Sequence, residues 1–134
     1  MNIKSNIIFK VLVALIVLFL SFELTHKFGY RIIKVNGNSM FPTIKNNDIL
    51  IVNCWYHRLY GLHHGDVVMF KDKDGFLVIK RIISLPGDIV ELNTNIFKIK
   101  NGEYFVMGDC REKSFDSRNY GPIKQSSIIG IVKD

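Results

Sequence analysis

The stretch FLVIKRIISLPGDIVEL, Phe76–Leu92, holds two apolar, largely β-branched runs joined by Leu85-Pro86-Gly87-Asp88. Residues of that kind fit a pleated, half-buried surface, and LPGD has the chemistry of a type II turn, with proline presetting the first central position and glycine taking the positive φ at the second. The stretch therefore reads as strand, turn, strand. Outward from it the pattern repeats in YRIIKVN (Tyr30–Asn36), Asp48–Asn53, Asp66–Phe70, Ile96–Lys100, Tyr104–Gly108 and Ser127–Val132, with turn signals KNND, KDKDG, NTN and KNGE between them. Many short strands and no long amphipathic helix after the N-terminus predict an all-β barrel or folded sheet. Two longer connections, Asn53–Gly65 and Asp109–Pro122, are expected to be loops of the kind that carry function.

Ahead of this sheet the pattern changes. Val11–Phe22 (VLVALIVLFLSF) carries no charge, and Asn6–Leu24 extends it while admitting Lys10 and Glu23. Crossing the hydrocarbon takes roughly 20 mostly apolar residues, and charges at the ends of a span snorkel to the interface, so an uncleaved membrane anchor is expected. A core helix of a soluble domain would show a polar face, and this run is apolar all round. The SFELTHKFGY that follows lacks the small-x-small site of a cleaved signal peptide. Basic residues stand on both sides of the span, Lys4 and Lys10 before it and Lys27, Arg31 and Lys34 after it, so charge does not set its orientation.

With 134 residues, the chain supports one small domain beyond the anchor. The net charge of +6 is spread along the chain without a basic block or interleaved aromatics, which argues against nucleic acid and for attraction to anionic lipid headgroups. Cys54 and Cys110 lack CxxC spacing and support neither a zinc site nor a dense disulfide framework; they pair or stay free according to compartment. His26 lies at the anchor boundary. His57, His63 and His64 share one loop with no acidic partner at a diagnostic spacing and no third metal ligand. Solvated or locally hydrogen-bonded histidines are expected there, and no metal or other cofactor.

Three segments carry chemistry. VNGNSMFPTI, Val35–Ile44, sets Ser39 on a turn between Gly37 and Pro42; these are ordinary turn residues, so Ser39 is either loop material or a nucleophile held on a stiff platform. In FLVIKRIIS, strand alternation aims one of Lys80 and Arg81 inward and the other outward. An inward lysine loses its charge, its ordinary pKa of about 10.4 falling by several units, and becomes able to act as a serine's base; on an edge strand both would be surface charges. MGDCREKSFDSRNYGPI, Met107–Ile123, places Asp116 and Arg118 at ion-pair spacing beside the hydroxyls of Ser114 and Ser117, with a solvated turn cluster as the alternative.

Taken together these segments resemble type I signal peptidases of the S26 family, membrane-bound serine proteases that remove signal peptides from exported proteins. The likeness spans nearly the whole chain: an anchor, then GNSMFPTI, GDVVMF, IKRIISLPGD and MGDCREKSFDSRNYG in the family's order. It implies an anchor at 1–28 and a β-rich catalytic domain at 29–134 with a membrane-proximal active site. It further implies Ser39 as nucleophile, Lys80 as general base, Ser114 as the hydroxyl that positions Lys80, and Asp116 with Arg118 as a supporting ion pair. Backbone N–H groups, that of Ser39 foremost, would bind the oxyanion, with Gly37 at the position where some members carry a serine hydroxyl. Ile33, Val35, Met40 and Ile79 are placed either to line shallow pockets for small substrate residues or to pack as ordinary core. The implied substrates are exported preproteins, the implied setting the outer face of a bacterial cytoplasmic membrane crossed once, and the secretion translocon a candidate partner. Ser84 and Cys110 depart from the family's glycine and asparagine. A specialised relative of conjugation-associated or mitochondrial inner-membrane type, and a non-catalytic membrane protein that binds signal peptides, are the alternatives.

Overall fold

The computed structural model describes residues 3–92 and 95–132. The expected NTN turn falls mostly outside the described residues, as do the side chains of Lys4, His26 and Lys27. The N-terminal segment is one unbroken helix, α1 (Ile3–Phe28). Its 19-residue stretch Asn6–Leu24 is long and apolar enough to cross a membrane, and none of it is buried against the rest of the chain. At 1.5 Å per residue that stretch reaches about 28 Å, close to the thickness of a hydrocarbon core.

Beyond Gly29 the chain is mostly β, as the alternation and turn chemistry predict. The strands are β1 (Tyr30–Lys34), β2 (Ile49–Asn53), β3 (Val67–Lys71), β4 (Leu77–Ser84), β5 (Ile89–Leu92), β6 (Asn95–Lys98), β7 (Glu103–Met107), β8 (Ile123–Lys124) and β9 (Ile128–Val132). Seven form an antiparallel sheet in the order β1-β2-β9-β3-β4-β7-β8, and β5 and β6 make a separate ribbon. Val67, Val68, Met69 and Phe70 of β3 are all buried, because Val68 and Phe70 enter one apolar cluster with Ile82 and Val106 while Val67 and Met69 enter another with Met40, Ile44 and Val52. A strand covered on both faces reads as a continuous apolar run, which is why VVMF does not alternate. At LPGD, Asp88 N–H donates to Leu85 O at 3.1 Å and Gly87 has φ of 97°, so the turn forms where its chemistry places it.

Two features of this topology position the site. Four antiparallel steps separate β1 from β4, so the two strands run in the same direction. Within β4, Leu77–Lys80 pair with β3 alone, since β7 joins only from Arg81 onward. That half of β4 thus keeps an open edge, and β1 is the outer strand of the sheet.

The two long connections are not plain loops. The first contains α2 (Tyr56–Tyr60), whose first N–H groups, on Trp55 and Tyr56, donate to Asn53 Oδ1 at 2.9 Å. The second contains a 3-10 turn, Arg111–Lys113, then α3 (Ser117–Tyr120), and the unexpected strand β8 follows directly after it. Such short helices show no periodicity in sequence, and α3 is held by a capping box: Asp116 Oδ1 accepts from Arg118 N–H, and Asn119 Oδ1 accepts from Asp116 N–H. The solvated role expected for His57 is corrected by α2, which buries it to 6% exposure. His63 and His64 do remain exposed, yet each faces an acid: His63 Nδ1 lies 3.6 Å from Asp66, three residues on, and His64 Nε2 lies 3.2 Å from Asp88 of the LPGD turn.

Candidate active site

Ser39 sits in the irregular segment between β1 and β2. Met40 and Ile44, on either side of the turn, are buried to 3% and 2% exposure, and Ile44 N–H donates to Met40 O at 2.9 Å. Each such burial is worth roughly 1.5–3 kcal/mol. With the next residue drawn into the core, Ser39 is left facing a groove. Gly37, at φ of 114°, makes the reversal ahead of it that a side chain would resist. From the other side, Cys110 N–H donates to Ser39 O at 3.0 Å and ties the turn to the segment after β7.

Lys80 is the inward member of the basic pair. It lies opposite Val68 in the β3–β4 ladder, on the face shared with Ile82, and is 3% exposed. Its Nζ and Ser39 Oγ are hydrogen-bonded at 2.7 Å across 41 residues of sequence. Burial pushes the ammonium below the ordinary lysine range, while the Asp116 carboxylate pulls it back up. Arg81 turns the other way and closes a two-pronged pair with Asp109, Nε to Oδ1 at 2.9 Å and Nη2 to Oδ2 at 2.7 Å, with Nη1 donating to Gly65 O at 2.8 Å. That guanidinium holds Asp109 below the usual carboxylate range. The adjacent strand positions thereby divide one cation whose charge burial disfavours from one fixed by pairing.

Asp116 is wholly buried. Its Oδ1 accepts from Arg118 Nε at 2.9 Å, and its Oδ2 accepts from Arg118 Nη2 at 3.1 Å and Gly108 N–H at 2.9 Å. Burial raises its pKa, but the Arg118 guanidinium and the Gly108 N–H outweigh that and keep it below the usual range. Arg118 Nη2 also reaches Arg111 O at 2.6 Å, so the pair locks the whole segment from 111 to 118. Ser114 Oγ is buried and has no hydrogen-bond partner; it lies near the Asp116 carboxylate without bonding geometry, and the structure does not join it to Lys80 Nζ. Ser117 Oγ, by contrast, is spent on Val106 N–H at 3.0 Å.

Ile33, Val35, Met40 and Ile79 all line the groove of about 410 Å³ that also holds Gly37, Ser39 and Lys80, and all four pack on the apolar cluster beneath it. The two readings of these residues are therefore not exclusive. Sequence reasoning missed Met69, Leu77 and Lys113 on the same groove; strand register supplies the first two, since Met69 pairs with Ile79. A larger groove, about 690 Å³, touches this one at Val78 but contains neither Ser39 nor Lys80. Gly37 N–H is occupied, donating to Asn46 Oδ1 at 2.9 Å. No residue accepts from Ser39 N–H among those described. Cys54 and Cys110 are free thiols.

The family model described as signal peptidase, peptidase S26, matches residues 5–101 and 93–133. The chain belongs to that family. Signal peptidase I V of Bacillus subtilis (strain 168) is 33% identical over 138 residues, covering 75% of this chain and 82% of that protein. Signal peptidase IB of Staphylococcus aureus is 30% identical over 166 residues, covering 93% and 85%. The mitochondrial inner membrane protease subunit 1 of Xenopus tropicalis is 33% identical over 110 residues, covering 76% and 66%. Among solved structures, a signal peptidase I from Enterococcus faecalis V583 covers 54% of this chain and 97% of its own at 26% identity and a TM-score of 0.46. Membership of the signal peptidase family rests on the sequence matches, and the fold on the strands and register described above.

Proposed function

We propose that this chain is a signal peptidase I, a serine endopeptidase that removes signal peptides from exported preproteins at a membrane surface, with Ser39 as nucleophile and Lys80 as its base. The observation that carries the assignment of residues is the 2.7 Å contact between Lys80 Nζ and Ser39 Oγ inside a groove. Burial disfavours the charged form of Lys80, and in its neutral form the amine accepts the serine proton as Oγ attacks the scissile carbonyl carbon. Collapse of the tetrahedral adduct breaks the C–N bond, and Lys80 returns the proton to the leaving amine. Water, deprotonated by Lys80, then attacks the acyl carbon and frees Ser39. The free N–H of Ser39 points to the donor for the oxyanion, a role worth roughly 3–4 kcal/mol in other acyl transfers. Asp116 and Arg118 support the site by fixing the segment that carries Ser114.

The preprotein adds as a strand between the edge of β1 and the open edge of Leu77–Lys80, so that alternate side chains meet Ile33, Val35, Met40 and Ile79. Its signal-peptide side runs back along β1 toward Tyr30, because that end joins the anchor, beside which the substrate's own apolar segment must lie. Lipid is the second partner. Tyr30, Ile32, Ile49 and Ile51 of β1 and β2, and Leu59 and Tyr60 of α2, are exposed next to the anchor's end, where Cys54 N–H bonds Gly29 O at 2.9 Å. The setting proposed is a bacterial cytoplasmic membrane crossed once, with the catalytic domain on the outer face. The test is cleavage of a precursor with an Ala-x-Ala site by the detergent-solubilised full chain. Cleavage by wild type that vanishes in Ser39→Ala and Lys80→Met supports the reading; cleavage surviving either substitution overturns the assignment of that residue, and none by folded wild type leaves a binding role.

A further inference from the structure

The bond from Gly37 N–H to Asn46 Oδ1 has a consequence for the nucleophile. The β1–β2 ladder ends formally at Lys34 and Ile49, but it continues past that rung. Val35 N–H donates to Asp48 O at 2.8 Å and Asn47 N–H donates to Val35 O at 2.9 Å. The next donor along this side is Gly37 N–H, and the backbone has no partner for it, because Asn47 at φ of 72° has already turned the chain away. The Asn46 side chain supplies the missing acceptor at 2.9 Å. The turn that holds Asn46 is itself braced, with Lys45 N–H donating to Asp48 Oδ2 at 2.7 Å. A rigid turn thus reaches across to the residue two before Ser39.

We propose that Asn46 is a positioning residue for the proposed hydrolysis: its amide oxygen acts as one more rung of the β1–β2 ladder, fixing the reversal at Gly37 that aims Ser39 Oγ at Lys80 Nζ and leaves Ser39 N–H directed at the groove. The inference rests on the assignment of Ser39 and Lys80 above. It also accounts for Gly37. Two residues before the nucleophile, its N–H is consumed in shaping the turn, so it is unavailable as an oxyanion donor. The device is invisible to a motif search because Asn46 lies in a polar turn, KNND, outside every box that carries the family likeness.

Two substitutions separate the acceptor from the bulk of the side chain. Asn46→Leu keeps the size and removes the acceptor; Asn46→Asp keeps an acceptor oxygen. With a cleavable precursor and the full chain in detergent, Asn46→Leu is expected to lose about tenfold or more in kcat, with KM within about twofold, as for a lost transition-state alignment. Asn46→Asp should hold within about threefold of wild type, since the bond is retained. The alkaline-rising limb of the pH–rate profile should stay in place in both, because Lys80 is untouched. Wild-type kcat in Asn46→Leu overturns the proposal. So does Asn46→Asp falling as low as Asn46→Leu, or a kcat loss matched by a fall in the fraction folded. Amide exchange at Gly37 in the wild-type chain tests the bond without catalysis or substitution: protection supports it, and exchange at the rate of a free peptide overturns it. Because that readout needs no substrate, failure of the peptidase assignment is distinguishable from failure of this one.

Discussion

Adding one methyl group at Gly108 should disable the site while the rest of the domain stands. Gly108 does not occupy the left-handed region, so its backbone would accept alanine; space forbids it. A Cβ there would come within 2.6 Å of Ser114 Cβ, and closer still to Ser114 Oγ and to the carbonyl oxygen of Ser39. Ordinary contact begins at 3.4 Å, so something must give by the better part of an ångström. The Ser39 carbonyl is held by Cys110 N–H, and Ser114 by the ion-paired segment around Arg118, so neither yields freely. Overpacking of this kind costs roughly 1–3 kcal/mol of stability. A displacement near 1 Å at the reacting atoms is expected to cost about 10²-fold in rate. Gly130→Ala is the control: its Cβ would meet Asn53 O at 2.5 Å and Val52 Cγ1 at 2.8 Å, a comparable crowding between β2 and β9 away from Ser39. Precursor cleavage under single-turnover conditions and thermal melts of both variants make the comparison. Gly108→Ala should lose rate far beyond its loss of folded protein, and Gly130→Ala should lose stability with its kcat per folded molecule kept. Full activity in Gly108→Ala, or equal rate loss in the two, refutes the reasoning.

Burial lowers the Lys80 pKa, so the folded state binds its proton less readily than the unfolded chain does, and folding is penalised below the unfolded lysine pKa of about 10.4. Lys80→Met should therefore abolish cleavage yet raise Tm at neutral pH, with the gain shrinking as pH climbs toward that value; a lower Tm at pH 7 would contradict the burial argument. Asp116 runs the opposite way: its depressed pKa contributes stability that is present above the ordinary carboxylate value and is lost as pH falls through the folded one. Arg118→Met strands that buried carboxylate and should cost about 3–5 kcal/mol in denaturant melts, part of it recovered by adding Asp116→Asn; a loss under about 1 kcal/mol, the value of a surface pair, would show the pair is not buried in effect. His57 is buried with Nδ1 unpartnered, and burial, then Arg58, lower its pKa. Stability should fall as pH drops below about 6.5, and His57→Phe should flatten that fall in Tm; an unchanged acid limb would place the titration elsewhere.

How far the fold and site could be read in advance follows from which interactions are local. LPGD, the alternating strands and the apolar N-terminal run declare themselves because a turn type, a period of two and a hydrocarbon thickness are properties of neighbouring residues. Lys80 and Arg81 show where that kind of reading stops. Alternation establishes that one of them points inward, but only the pairing of Lys80 with Val68 and the reach of Arg81 to Asp109 say which. The helices at Tyr56–Tyr60 and Ser117–Tyr120 escape notice because they are too short to show a period and lean on single side chains, Asn53 in the turn that enters one and Asp116 as the cap of the other. Asn46 escapes for a stronger reason. In a turn rich in Lys, Asn and Asp, nothing marks one amide as the partner of a backbone N–H nine residues earlier. Residues of the site that belong to a motif are legible because their neighbours are; residues that act by completing a hydrogen-bond ladder become visible only once the backbone has shown which donor lacks an acceptor. A search of this family's sequences for nucleophile-turn determinants should therefore begin from unpaired N–H groups flanking Ser39, because each such group must be met by a side chain, by solvent or by the substrate itself.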